Sequence, residues 1–178
     1  MTTLANAKKL LTRTGWLSQQ PASFRAEIWR RAAIAHFLKG DVIYRAGDPP
    51  GGVFGIISGA VAVTVSPGLE APQLFHVCLP GDWFGEGCFL LGEPRRVGTT
   101  VAVETWAVHL PLGEMHQMAR EYPPSVKCFT KMLTGNLDTL LRAFHDLHNP
   151  NEHGRVASAL ERITSERNNT VPLSQGDV

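Results

Sequence analysis

Within residues 81–103 a carboxylate, Glu86, precedes two adjacent arginines, Arg95 and Arg96, in a glycine-rich stretch that leads into β-branched residues. These types suit a sugar phosphate. Backbone amides freed by glycine and a guanidinium take the anion, while a carboxylate accepts hydrogen bonds from ribose hydroxyls. The competing reading is an internal ion pair between Glu86 and Arg96 that closes the loop without a ligand, because buried charges are usually paired.

The elements that must position these groups are legible in the periodicities. Residues 4–14 and 22–33 read as two helices, with Trp16, Leu17 and Pro21 in the connection. From Ile34 the chain becomes short apolar runs between glycine turns. Residues 41–45, 53–57, 60–65, 74–79, 99–103 and 106–110 read as strands, spaced as in an antiparallel sandwich or barrel. Residues 56–61 read as a tight hairpin, with Gly59 supplying positive φ. Residues 112–121 then read as a short helix, stopped by Tyr122-Pro123-Pro124.

A longer helix over 125–148 carries Val126, Thr130, Leu133, Leu137, Leu140, Phe144 and Leu147 at alternating spacings of four and three. That is an a/d seam over about three heptads, which favours a dimer helix over one packed only within its own domain. Phe129, Met132 and Leu141 widen its apolar face. Asn149, Pro150 and Glu152 form the start of another helix, so 147–150 reads as a hinge.

Composition excludes several classes. The sequence has 178 residues, 43% of them apolar and 19% charged, which is ordinary for one globular domain with an appendage. No apolar run approaches the ~20 residues that span a bilayer, and the N-terminus lacks signal-peptide features, so the chain reads as cytoplasmic without membrane contact. The net charge of +1 is uneven: residues 1–31 carry a basic excess, read as a solvated face, and residues 32–125 an acidic one. No block is basic enough for a complete nucleic-acid surface. Cys78, Cys88 and Cys128 read as buried free thiols. The histidines are scattered, and the metal pattern of a cupin, the G-x-S-x-G elbow, H-E-x-x-H and the P-loop are all missing, so no catalysis is expected. His145 and His148, a turn apart, read as solvated rather than as metal ligands. His76 reads as a strand residue facing solvent, although it shares a strand face with Cys78, so a haem reading stays open.

Lys39-Gly40-Asp41, Arg45-Ala46-Gly47-Asp48, the Ile57-Ser58-Gly59-Ala60-Val61 segment and above all Leu79-Pro80-Gly81-Asp82-Trp83-Phe84-Gly85-Glu86 carry a resemblance to the CRP/FNR family of bacterial transcription regulators. It covers Ala33 to the C-terminus. It implies a mainly β fold with flanking helices: a jelly-roll-like antiparallel β-roll of eight strands, the cyclic nucleotide-binding fold, followed by a long dimerisation helix. The implied division is N-terminal helices 1–33, sensing roll 34–124, dimer helix 125–148, and 149–178 as hinge, helix and the start of a winged helix-turn-helix. The helix that reads DNA would lie beyond Val178, so DNA contact would come only through that further domain.

The resemblance also implies an effector cassette. Phe84, Gly85, Glu86, Arg95 and Arg96 would hold a cyclic nucleotide, with Glu86 on the ribose and Arg96 on the phosphate. Val97 stands where the family's serine would be. Thr99 or Thr100 supplies the hydroxyl if the register shifts. From the dimer helix, Leu140 and Leu141 occupy the places of a Thr-Ser pair that meets the adenine, and neither can hydrogen-bond a base edge. These departures point away from cAMP itself, toward another nucleotide or small anionic effector, or toward a haem or other signal with the nucleotide pocket unused. The implied protein is a homodimer through Leu133, Leu137, Leu140, Phe144 and Leu147, with no resident cofactor. A stand-alone dimeric binding module is the alternative to a regulator.

Overall fold

The computed structural model describes residues 4–66 and 71–147. Helices α1 (Leu4–Leu11), α2 (Gly15–Ser18) and α3 (Ala22–Arg31) lead into strands β1 (Ala33–Phe37), β2 (Val42–Tyr44), β3 (Val53–Val65), β4 (Gln73–Cys78) and β5 (Trp83–Phe84). One turn of helix, α4 (Gly87–Leu91), precedes β6 (Gly98–Leu110), and α5 (Leu112–Glu121) and α6 (Ser125–Leu147) follow.

The expected antiparallel β-roll with flanking helices is present, with six strands among the described residues. Its spine is β3 against β6, thirteen residues each, paired from Val53↔Leu110 to Thr64↔Gly98. One end of β6 takes β2 and the other takes β1. One end of β3 takes β5 and the other β4, all antiparallel.

The spine corrects one expectation. Residues 56–61 are not a hairpin: β3 runs straight through Gly59, and the register against β6 slips three times between Ile56 and Val61. Gly59 does have φ +91°, but it uses that freedom in a bulge. A Cβ there would lie 2.3 Å from the Glu104 carbonyl oxygen and 2.4 Å from Thr105 Oγ1. The buried Thr105 hydroxyl donates to the Val103 carbonyl at 2.6 Å, satisfying a group the slipped ladder leaves over. β1 is a second correction, since the sequence reading carried the preceding helix to residue 33. Ala32 is extended (ψ 150°), so α3 stops at Arg31. Trp16 and Leu17 lie within α2 rather than in a plain connection.

Two cores result. Inside the roll, Tyr44, Phe54, Ile56, Val61, Phe84 and Val101 pack together. Outside it, the helices bury Leu11, Leu17, Phe24, Ile28, Trp83, Phe89, Met115 and Phe129. Helical spacing selects them: Ala7 and Leu11 share a face of α1, as do Phe24 and Ile28 on α3. Trp16 Nε1 donates to the Cys128 carbonyl at 2.8 Å, tying α2 to the first turn of α6.

The N-terminal basic residues are not all a solvated face. Lys8, Lys9, Arg13 and Arg30 are exposed, but the Arg31 side chain is only 3% exposed. It pairs with Glu27 at 3.1 Å, with Glu114 at 2.7 Å, and with Glu121, joining α3 to α5. The hinge at 147–150, His148, the following helix and the proposed start of a winged helix lie outside the described residues.

Phe129 is fully buried and its ring meets those of Trp16, Phe24 and Phe89 at centroid distances of 6.1, 5.3 and 4.9 Å. Phe129→Ala is therefore expected to cost about 3–5 kcal/mol, read by urea unfolding.

Candidate functional site

The cassette is built from the end of β5 outward. Gly85 turns the chain with φ +101°, and a Cβ there would lie 2.8 Å from the Gly52 carbonyl oxygen and 2.9 Å from Arg95 Nη1. Only glycine allows the backbone this close. Its carbonyl accepts from Arg95 Nη1 at 2.8 Å, and the Gly52 carbonyl accepts from Arg95 Nη2, also at 2.8 Å. The guanidinium lies over the Tyr44 ring, 4.0 Å from its centroid. Arg95 is thus buried and acts as a clamp between the β2–β3 connection and the cassette.

The following residue behaves differently. The Arg96 side chain is 71% exposed and pairs with Glu93 at 2.5 Å. The sequence left open an internal Glu86–Arg96 pair; Arg96 pairs with Glu93 instead, three residues away. Glu86 is 5% exposed, and its Oε1 accepts from Asn136 Nδ2 of α6 at 2.9 Å. Burial pushes the Glu86 pKa up from its ordinary value of 4.5. Hydrogen bonds from the local backbone and Asn136, and the charge of Arg95, offset part of that rise.

These residues wall a cavity of about 370 Å³ between the roll, the cassette and α6. Phe84, Gly85, Glu86, Arg95, Arg96 and Leu140 all line it, as sequence reasoning grouped them. So do Leu133 and Leu137. Three expected residues are not on its wall. Leu141 is 57% exposed. Thr99 is buried in the β6 ladder opposite Tyr44 and Val63, and Thr100 stands opposite Val42 and Ala62. β6 begins at Gly98, so both threonines are already fixed in the sheet and neither lines the cavity to supply the cassette hydroxyl. Phe144 is 59% exposed beyond the cavity, and the side chain of Leu147 is outside the described set.

Two participants were missed. Asn136 lies three residues after Leu133 and four before Leu140, so the seam's own spacing put it on this face. Tyr44 gave no signal, since its role depends on the clamp. His76 is not a plain solvent-facing residue: it is half-buried and lines the cavity with Cys78. Among the described residues, no group of three or more His, Cys, Asp and Glu could hold a metal, and no helix is long and apolar enough to cross a membrane.

The groups that a cyclic nucleotide would use have partners within the chain or lack the expected chemistry. The ribose acceptor faces Asn136, the phosphate cation faces Glu93, Val97 has no hydroxyl, and Leu140 offers the base no hydrogen bond.

Two outcomes follow. Arg95→Gln strands the Gly52 and Gly85 carbonyls and is expected to cost about 2–3 kcal/mol, whereas Arg96→Gln stays within about 0.5 kcal/mol of wild type in the same denaturation assay. Because the folded state holds the Glu86 proton more tightly than the unfolded chain, this group loses stability for the fold as pH rises through its raised pKa. Glu86→Gln is expected to melt above wild type at neutral pH and to lose that advantage below pH 4.5, where both forms are protonated.

Solved structures share the architecture. A cyclic nucleotide-binding domain from Methylobacillus flagellatus superposes with a TM-score of 0.66 at 16% identity, over 83% of each chain. The c-di-GMP responsive global regulator CLP of Xanthomonas campestris gives 0.65 at 16% identity, over 83% of this chain and 74% of that one. The regulatory domain of Toxoplasma gondii PKA, solved with cAMP, gives 0.63 at 18% identity, over 76% and 49%. No curated protein matches the sequence significantly. The profile of the cyclic nucleotide-binding domain matches residues 34–122, half of the chain. The glycine-built cassette, the roll beneath it and this match together make the chain a member of the cyclic nucleotide-binding domain family.

Proposed function

We propose that the chain is the effector-sensing and dimerising part of a CRP/FNR-type transcription regulator. It takes a cyclic nucleotide or another small anionic effector in the cavity and passes the signal through α6. One observation carries this reading: the same side chains do two things. Leu133, Leu137 and Leu140 line the cavity, yet they remain 39%, 48% and 40% exposed. With Phe144 they form an apolar stripe that one chain alone leaves wet. A second copy packed on that stripe buries it, so an effector under α6 and a partner across it act on the same residues. That shared contact gives effector and partner a means to bias one another, provided each favours a different arrangement of α6.

The likeness to the Xanthomonas regulator supports the regulator assignment at the level of the fold. DNA contact belongs, in this reading, to a domain beyond Val178, and the reading assigns no catalysis to the chain. Leu140→Asp puts a charge in the middle of the seam. Sedimentation velocity is expected to find wild type dimeric and the variant monomeric at the same concentration; a variant as dimeric as wild type overturns the seam.

A further inference from the structure

We infer that the cavity is built for an amphipathic monocarboxylate, with an apolar body beneath α6 and a single carboxylate at Arg96. This rests on the reading of the cavity as an effector site and narrows its ligand class.

The groups a sugar phosphate would use are engaged. Glu86 accepts from Asn136. Arg95 gives its two Nη groups to backbone carbonyls and its face to Tyr44. What faces the interior is apolar: Val63, Phe75, Cys78 and Phe84 from the roll, Leu133 and Leu137 from α6. The volume lies within the ~300–1,000 Å³ of small-molecule sites. An apolar body that fills it covers leucines the protein leaves half exposed, and that burial is the driving force.

Arg96 supplies the anion contact. It lines the cavity, and its only ion pair among the described residues is the exposed one with Glu93. Surface pairs of this kind contribute little, so a ligand carboxylate can replace Glu93 with its own bidentate contact at small cost. A multiply charged phosphate is less well served, because Glu93 and Glu86 both stand on the same wall as Arg96.

The test is calorimetry on the full chain with octanoate, decanoate, decanol, cAMP and cGMP, the fatty acids kept below their micelle concentrations. Decanoate is expected to bind more tightly than octanoate, by about three- to four-fold per added methylene. Arg96→Gln, an exposed substitution that leaves the core intact, is expected to weaken decanoate about ten-fold and leave decanol unchanged. Equal loss for acid and alcohol, or no loss for either, overturns the carboxylate assignment. cAMP or cGMP binding more tightly than decanoate overturns the inference and leaves the effector site standing. No binding by any of the five compounds overturns both.

Discussion

A carboxylate only 5% exposed needs a partner, and the Asn136 side chain, on a different element, donates to Glu86. That constraint organises the site. Leaving a buried acceptor without a donor costs on the order of 1–3 kcal/mol, more for a charged one. The Asn136 hydrogen bond adds to those of the local backbone in satisfying Glu86, and it is the one that ties the cassette to α6. The hydrogen bond fixes the position of the helix and, with it, the roof of the cavity.

The two parts of α6 are held unequally. Its beginning is anchored: Cys128, Phe129 and Met132 are buried, and Trp16 ties the Cys128 carbonyl from α2. From Leu133 onward the described large apolar side chains are 39–59% exposed. Asn136 is the point at which this lightly held part meets the cassette, through Glu86 and, at a longer 3.4 Å, the Trp83 carbonyl. The cavity and the exposed stripe lie on the same stretch of this helix.

The architecture was readable in the sequence because glycine and proline punctuate it strongly. The bounds of α5 and the cassette's position between two strands both follow from local pattern. Gly59 misled because positive φ serves a bulge as readily as a turn, and only the partner strand decides between them. β1 was missed because Ala33 was read into the preceding helix, and the strand state of residues 33–37 depends on pairing with residues 105–109 of β6. The choice between Arg95 and Arg96 was not legible either. Both are arginines in the loop before β6, and which of them meets the Gly52 and Gly85 carbonyls is set by the fold. Asn136 was within reach of sequence reasoning: a polar residue between two seam leucines already asks for a partner.

Closure of the cavity by Asn136 is tested most directly through Cys88, a buried thiol on α4 that lines the cavity, with Cys128 in the outer core as internal control. Alkylation of each thiol can be followed by mass spectrometry in wild type and Asn136→Ala. If the hydrogen bond to Glu86 holds α6 over the cassette, Cys88 is modified faster in the variant while Cys128 keeps its wild-type rate. Unchanged Cys88 labelling, or a rise shared equally by Cys128, contradicts it.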